Sequence, residues 1–410
     1  MREGVREASS QAVRLTVLVA ALGYFVDIYD LILFVIVRVK SLRSLGVPVD
    51  ELLDRGAFLL NVQMIGMLLG GLLWGILGDK RGRLSVLFAS IFLYSIANIA
   101  NGFVRTVPEY AVLRFVAGVG LAGELGAGIT LVSEVMSRES RGWGTTVVAG
   151  VGLCGAVVAG LVGAAFSWPV AYFVGGGLGL ALLALRIGLS ESGMFRGIQV
   201  SEVPRGNFLL LFANRARAKR YVSVILVGMP IWFTISILVG FSPELSHAMG
   251  LAEAPDPGRA VMLFYIGASL GDFSSGFLSQ VMRSRKKVLG IFLGLTALAI
   301  VVYFSIAGRS LTAFYASCAA LGAATGYWAV FVTVASEHFG TNLRATTTTT
   351  APNFVRGSVV PMTLAFRALK APLGVTRSAM VVGGAALCIA TIALFCLDET
   401  FGRNLDFVEE

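Results

Sequence analysis

The sequence is predicted to fold as an all-α integral membrane protein with two similar halves of about six transmembrane helices each. Apolar residues make up 56% of its 410 residues, charged residues only 14%, and the mean hydropathy is +0.81. Soluble globular chains are about one-quarter charged, so this composition indicates a chain that lies in a bilayer. A sequence repeat across the two halves, described below, indicates the duplication.

Twelve apolar runs are long enough to cross the membrane. A transmembrane helix needs about 20 apolar residues to cross about 30 Å of hydrocarbon. The first run has this length, and no small-residue cleavage pattern follows it, so we expect it to remain as helix 1. The predicted helices cover roughly residues 14–37, 56–78, 84–104, 108–132, 144–166, 168–188, 220–242, 259–281, 288–307, 311–335, 346–366 and 375–397.

The basic residues predict the orientation, because short loops rich in Lys and Arg are retained in the cytoplasm. With both termini cytoplasmic, about twice as many of the 33 Lys and Arg fall inside as outside. The outer loop after helix 1 opposes this rule, since it contains Arg38, Lys40, Arg43 and Arg55. We expect a multi-pass protein of the cell (inner) membrane. Its net charge of +9 is attributed to topology and anionic lipid contact, not to nucleic-acid binding.

A charged loop follows the second apolar run, and a weaker copy of it occurs about 200 residues later. An acid followed seven residues later by Arg also repeats at a similar distance, as Glu134 with Arg141 and Glu337 with Arg344. The repeat predicts an N-terminal six-helix bundle (1–188), a cytoplasmic linker (189–219) and a C-terminal six-helix bundle with a short tail (220–410). The linker contains the run Phe208-Leu-Leu-Leu-Phe212 beside five basic residues, which predicts an interfacial amphipathic helix.

The first copy matches the pattern GxxxD(R/K)xGR and so resembles the loop between helices 2 and 3 of the major facilitator superfamily. That resemblance implies the superfamily's fold of two parallel six-helix repeats. It also implies a cytoplasmic gate, although these residues could instead only fix the topology; in the second copy Gln280 replaces the acid. The implied gate residues are Gly75, Asp79, Lys80, Gly82, Arg83, Glu134, Arg141, Gln280, Arg285, Glu337 and Arg344.

Helices 1 and 4 resemble the metabolite:proton symporters of the same superfamily. In helix 1, Gly23 precedes Asp27 by four residues, and Tyr29-Asp30 follows, with Asp27 in place of the more usual Glu. Helix 4 carries the pattern RxxxGxG, beginning at Arg114. The resemblance implies that these helices line a central cavity together with helices 7 and 10, and that the protein is a transporter and not an enzyme.

Charged residues inside the predicted helices are the main candidates for function, because a charge in hydrocarbon costs several kcal/mol unless it faces a cavity or a partner. Asp27 and Asp30 share one face of helix 1. Asp27 and Arg114 lie at nearly the same depth, so a pair between helices 1 and 4 is permitted. We assign proton coupling to Asp27, Asp30 and Arg114, with Asp27 as the proton carrier. A permanent structural ion pair is the alternative.

Arg356 lies near the middle of helix 11, where its guanidinium suits a carboxylate or phosphate substrate. It could instead bond Asp272 or free backbone carbonyls. Aromatic and polar side chains of helices 7 and 10 could flank an organic ligand, or could only pack. The predicted substrate-binding residues are Tyr29, Arg114, Trp232, Ser236, Tyr327, Trp328, Asn353 and Arg356.

These observations predict a secondary active transporter that moves a small organic, anionic metabolite together with a proton by alternating access. A proton-independent facilitator or exporter on the same fold is the alternative, followed by a nutrient-sensing receptor, which would need a longer signalling tail. The partners expected are the substrate, a proton and membrane lipids, with the protein as a monomer. We expect no cofactor and no metal, because the Cys and His residues match no ligand spacing and no phosphate loop or catalytic triad occurs.

Overall fold

The computed structural model describes residues 10–81, 83–126, 128, 132, 136, 141–186, 208–403 and 407–409, and all regular secondary structure within them is helical. In the first half, a 3-10 turn at Val49–Glu51 precedes the second helix. The helices of this half are α1 (Ser10–Ser44), α2 (Leu52–Arg81), α3 (Arg83–Asn101), α4 (Val107–Leu121), α5 (Arg141–Ala165) and α6 (Trp168–Leu185).

The second half begins with a 3-10 helix at Phe208–Phe212, and its first long helix continues as a π-helix over Thr234–Val239. Its α-helices are α7 (Arg215–Phe233), α8 (Ser242–Ala248), α9 (Pro257–Val281), α10 (Arg285–Ile306), α11 (Leu311–Thr325), α12 (Trp328–Glu337), α13 (Arg344–Gly357) and α14 (Val359–Phe395).

Within the described part of the chain, nine helical segments are long and apolar enough to cross a membrane. One of them, 346–395, is 50 residues long, enough for two crossings of about 20 residues each. Gly374 interrupts it with φ at 75°, a conformation that glycine adopts without steric cost. The prediction of an all-helical membrane protein is confirmed.

Capping side chains fix where several helices begin. Thr106 accepts the N–H of Glu109 before α4, and Asp256 accepts the N–H of Arg259 at 2.8 Å before α9. Ser284 does the same for Lys287 at the start of α10, at 3.1 Å. Each cap satisfies one of the backbone donors that a helix leaves unpaired in its first turn.

The largest contacts between the two halves join α2 to α13 and α5 to α9. Within the halves, α1 packs mainly on α5 and α2 on α4, while α9 packs on α11 and α7 on α14. Glycines permit the close approach at the α2–α13 contact, where a Cβ on Gly71 would lie 2.8 Å from Asn353 and one on Gly75 would lie 3.2 Å from Thr350. The halves therefore meet along two helix pairs that lie on either side of α1.

Several predicted boundaries differ from the structure. Helix α1 continues to Ser44, so Arg38, Lys40 and Arg43 lie in this helix and not in the predicted outer loop. The predicted helix 311–335 is two helices, because the chain turns at Gly326 and the carboxylate of Asp272 accepts the N–H of Ala329 at 3.1 Å. The residues after 366, which were predicted to connect two helices, are helical as far as Gly374. In the linker, the apolar run forms a 3-10 helix and α7 already begins at Arg215, so no amphipathic α-helix occurs in the described residues 208–214.

The segment after α12 is packed against the C-terminal residues. Thr341 donates its N–H to Phe407 O at 2.8 Å, and Glu409 pairs with Arg217 at 3.0 Å and with Arg220 at 3.2 Å. His338 is fully buried beside this contact, with Nδ1 2.9 Å from Val334 O. Burial lowers the pKa of His338 from 6.5 to about 4, although the hydrogen bond to Val334 opposes this.

Because the folded pKa of His338 lies below the unfolded value, the unfolded chain binds the proton more tightly. The stability contributed by neutral His338 is complete above pH 6.5 and is lost as the pH falls towards 4. We expect this to account for up to about 3 kcal/mol. Thermal unfolding in detergent between pH 7 and pH 5 should show a shallower pH dependence for His338→Gln than for the wild type. His247→Gln is the control, and equal slopes for the two variants would contradict the prediction.

Candidate functional site

A buried ion pair joins the two halves at the centre of the molecule. Asp27 of α1 accepts a hydrogen bond from Arg356 of α13, with Oδ2 and Nη2 3.4 Å apart. Both side chains are 0% exposed. An unpaired charge at such a position is strongly destabilising, so each residue needs the other, or a substitute for it, whenever the site is dry.

Two tryptophans flank the guanidinium of Arg356. Its Cζ lies 5.6 Å from the ring of Trp232 in α7 and 5.8 Å from the ring of Trp328 in α12. The two indoles contact each other edge to face, with centroids 6.3 Å apart. Neither indole N–H has a hydrogen-bond partner among the described residues. Buried indoles usually have one, so these donors remain available to a ligand.

A small cavity of about 30 Å³ lies beside the two indoles. Tyr24, Tyr265 and Asp272 also line it. Such a volume holds one or two water molecules, so the site is closed in this structure. The Oδ2 atom of Asp272 has no hydrogen-bond partner among the described residues, whereas Oδ1 caps α12. The cavity wall therefore combines aromatic faces with free polar atoms of Asp272 and the two indoles, and the guanidinium of Arg356 lies next to those indoles.

The predicted pair between Asp27 and Arg114 is not formed. Arg114 donates instead to Gln63 Oε1 of α2 and, at 3.4 Å, to the hydroxyl of Tyr172 in α6. Its guanidinium also lies 4.9 Å from the ring centroid of Phe34. Asp27 is turned towards Arg356 of the other half. Arg114 is thus held inside the first half.

Asp30 is also directed away from the central cavity. Its carboxylate occupies the space that a side chain on Gly175 of α6 would fill. Asp30 is fully buried and lies within electrostatic range of Arg114. The two aspartates of helix 1 therefore face different cations, Asp27 across the halves and Asp30 within the first half.

Asn353 also contributes to the central site. It accepts from Arg356 Nη1 at 3.4 Å and donates to Ala122 O at 2.8 Å, across the halves. Ser236 is buried in the π-helical segment. Tyr29 and Tyr327 instead donate to backbone carbonyls of Ala171 and Val227, at 2.9 and 3.0 Å. Both tyrosines are thus committed to helix packing in this structure.

Two buried interactions of charged residues were not predicted from the sequence, namely the Glu124–Arg186 pair and the bond from Arg114 to Gln63. Glu124 and Arg186 form an ion pair in the first half, with Oε2 and Nη1 3.0 Å apart and both side chains 1% exposed. A side chain on Gly23 would overlap this pair. Both residues lie inside or at the end of predicted helices, which signalled a charge in need of a partner. Gln63 gave no such signal, because it is neutral.

The predicted gate is described only in part. Gly75 contacts α13, and Thr346 Oγ1 lies 3.5 Å from Gly75 O. Arg285 pairs with Glu337 at 3.5 Å within the second half. Arg344 is buried, whereas Lys80 and Gln280 are exposed. The prediction for Gly82 and Glu134, and for the side chains of Asp79, Arg83 and Arg141, falls outside the described residues.

The fold agrees with the comparison to known proteins. The Major Facilitator Superfamily profile matches residues 20–361. The chain belongs to this superfamily. Its members are transporters, so this superfamily protein is a multi-pass secondary transporter of the cell membrane and not an enzyme.

This transporter has relatives of similar length. It is 28% identical over 350 residues to the 3-(3-hydroxy-phenyl)propionate transporter of Escherichia coli K12, covering 83% of this chain and 84% of the relative. It is 24% identical over 427 residues to the niacin transporter NiaP of Acinetobacter baylyi, covering 95% of each. The proton:xylose symporter XylE, solved with 6-bromo-6-deoxy-D-glucose, matches with a TM-score of 0.74 over 97% of this chain and 98% of that chain. At 16% identity, this likeness shows the fold.

A second charged contact between the halves of this superfamily member lies at the predicted outer end. Nη1 and Nη2 of Arg38 donate to the two carboxylate oxygens of Glu244 in α8, at 2.8 and 2.9 Å. Arg38 also donates to Leu52 O and Gly240 O. A partly exposed pair joins Asp54 to Arg367 at 2.9 Å. We call the Arg38–Glu244 contact the outer clasp, and it closes this end of the structure.

Removing one partner of the outer clasp should favour opening, because Arg38 is only 2% exposed and would keep a buried, unpaired charge. We expect Glu244→Gln to destabilise the closed outer end by about 1–3 kcal/mol. Spin labels at exposed Val49 and Glu253 should then show a larger population at long distances in double electron–electron resonance.

The matched control is Glu51→Gln, which removes an exposed pair with Arg55 within one half. Exposed pairs of this kind contribute little, so its distance distribution should remain that of the wild type. A Glu244→Gln distribution identical to the Glu51→Gln control would contradict the outer clasp.

Proposed function

We propose that this transporter is a proton symporter of small aromatic or heteroaromatic carboxylates. The observation that carries the proposal is the Asp27–Arg356 pair, which spans the two halves beside Trp232 and Trp328. It provides a cation for the substrate, an acid for the proton and aromatic faces for a ring at one place.

The bonds of Arg356 favour an anionic substrate. Its guanidinium can bind a carboxylate with two parallel hydrogen bonds, but Asp27 makes one contact of 3.4 Å and Asn353 another of 3.4 Å. A substrate carboxylate can therefore replace Asp27 with better geometry. Two carboxylates on one buried cation leave a net negative charge, which is removed when Asp27 takes up a proton. Substrate and proton would then enter together.

The two indoles and the names of the relatives favour an aromatic substrate. Trp232 and Trp328 offer ring faces and free indole N–H groups at the cavity wall. The relatives are named for 3-(3-hydroxy-phenyl)propionate and niacin, and both compounds carry a carboxylate and an aromatic ring. A flat ring between the halves would gain aromatic contacts of about 0.5–1.5 kcal/mol each beyond area burial.

The proposed topology has twelve transmembrane helices with both termini in the cytoplasm. Division of the 50-residue segment at Gly374, together with α3 and α4, brings the nine candidate segments to that number. We retain the two bundles 1–188 and 220–410 with the linker 189–219. Arg38, which opposed the positive-inside rule, is buried in the outer clasp. Rocking of the bundles about α2–α13 and α5–α9 would provide alternating access.

Arg356 can be tested by uptake into proteoliposomes of labelled niacin and 3-(3-hydroxyphenyl)propionate, with xylose as a neutral comparison. Arg356→Lys keeps the charge but loses the bidentate geometry, and we expect a fall in kcat/KM of about 10- to 100-fold. Arg356→Gln should abolish uptake. The control, Arg377→Gln, removes an exposed arginine of α14 and should retain wild-type rates. Saturable, Arg356-dependent uptake of xylose with no uptake of either acid would contradict the anion proposal.

Proton coupling can be tested with Asp27→Asn in the same liposomes. The wild type should accumulate the acid against its gradient when an inward proton gradient is imposed. Asp27→Asn should still exchange labelled for unlabelled substrate but should not accumulate it, because the site can no longer gain or lose a proton. Asp30→Asn should be slower while remaining dependent on the gradient. Accumulation by Asp27→Asn would refute its role as proton carrier.

The same assay separates the alternatives. Wild-type flux that is independent of the proton gradient would favour a facilitator or exporter. Substrate binding without any flux would favour a nutrient-sensing receptor.

A further inference from the structure

A long groove runs along the outside of the second half, between α10 and α14. Its first part is a cavity of about 740 Å³, and a second cavity of about 370 Å³ continues it. The two cavities share Ala297 and Leu387, so they form one channel along the two helices. The groove lies on the far side of α10 and α14 from Asp27 and Arg356, and the proposed transport cycle does not use it.

Small residues create the depth of the groove. A Cβ on Gly294 or on Gly384 would have no neighbour within 4 Å, so each glycine leaves open space where another side chain would fill it. Leu293, Leu387 and Leu394 supply apolar walls. This is a shape that accepts a narrow, flexible apolar chain.

One end of the groove is basic. Arg283, Lys286 and Lys287 line it, and Glu399 is the acidic residue there. Glu399 is already bonded to the backbone N–H groups of Arg285 and Lys286, and Lys286 donates to Leu397 O at 2.6 Å. Arg283 and Lys287 are exposed and form no ion pair within the described part of the chain. Two positive charges therefore remain available beside the first turn of α10, whose helix dipole also favours an anion.

The length of the first cavity along α10 matches one leaflet of a bilayer. Lys287 and Ala297 are ten residues apart in α10, which corresponds to about 15 Å of helix. Half of the hydrocarbon core is also about 15 Å thick. A lipid with its headgroup at Arg283 and Lys287 would thus place its acyl chain along the whole first cavity, to the level of Ala297.

We propose that this groove is a binding site for one anionic phospholipid, with its phosphate on Arg283 and Lys287 and one acyl chain along Gly290, Gly294 and Ala297. Charge complementarity selects an anionic over a zwitterionic headgroup. In the proposed orientation the site opens to the inner leaflet.

The bound lipid would act on the contacts beside its headgroup. Ser284 and Glu399 bond to each other across the end of the groove, and Arg285 joins this cluster to Glu337 at 3.5 Å. A phosphate on Arg283 and Lys287 would reduce the repulsion within this basic loop. Lipid occupancy should therefore raise the thermal stability of the second half.

Native mass spectrometry of the purified full chain can test the site. Phosphatidylglycerol and phosphatidylcholine with identical acyl chains are added in turn, and we expect about tenfold tighter binding of the first phosphatidylglycerol. Arg283→Gln combined with Lys287→Gln should remove this preference. The control pair Arg215→Gln and Lys219→Gln removes two exposed charges at the start of α7 and should keep it.

The groove itself is tested by Gly294→Leu, which places a large side chain in the open space, where its Cβ would meet nothing within 4 Å. This variant should lose the tight site for either lipid. Gly177→Leu is the control, because Gly177 is an exposed helical glycine of α6 whose Cβ would also meet nothing within 4 Å. Undiminished phosphatidylglycerol preference in the double charge variant, or equal lipid binding by Gly294→Leu and Gly177→Leu, would overturn the proposal. So would a dimer that Gly294→Leu disrupts, since the groove would then hold a second copy.

Discussion

A carboxylate and a guanidinium buried between the two halves constrain the rest of the structure. Neither Asp27 nor Arg356 has access to water, and separation of the pair in a dry site would cost several kcal/mol. The halves can therefore move apart only if water enters or if other groups replace the lost partner. A substrate anion for Arg356 and a proton for Asp27 are the smallest replacements that keep the site neutral. The proposed coupling between ligand and proton would then follow from the cost of burying charge.

The two ends of the molecule show how such a movement can be balanced. At the predicted outer end, Arg38 is held by a carboxylate and by two backbone carbonyls from both halves. Near the other end, Gly75 brings the backbone of α2 against Thr346 and Thr350 of α13. The outer contact is electrostatic and is weakened when water enters, whereas the glycine contact depends on shape. The α2–α13 pair can therefore act as a hinge line while the outer clasp opens and closes.

The sequence predicted the positions of the helices better than the partners of the buried charged side chains. Composition and span length located nearly all of the helices, because hydrocarbon thickness and apolar length are linked directly. The break at Gly326 was missed, since both sides of it are apolar and its cause, Asp272, lies on another helix. Depth along the helices placed Asp27 and Arg114 at the same level, but depth does not fix the direction in which a side chain points. Arg114 therefore pairs with Gln63, a neutral residue, and Asp27 pairs with Arg356 of the other half. One of the basic residues that opposed the positive-inside rule, Arg38, is buried and pairs with Glu244. Counting the Lys and Arg residues of each loop could not identify this pair.

The two aspartates of helix 1 differ in a way that bears on their roles. Asp30 lies in the field of Arg114, and Arg114 is fixed by Gln63 and Tyr172, all in the first half. In the proposed rocking motion these groups would move together, so their interaction would persist. Asp27 instead pairs with a residue of the second half, and the same motion would change that distance. Of the two aspartates, Asp27 would then be the one that changes its electrostatic partner, as the proposed proton carrier must. The assignment of Asp27 as carrier and Asp30 as modulator is therefore supported by which half holds each cation, although the cation opposite Asp27 is Arg356 and not Arg114.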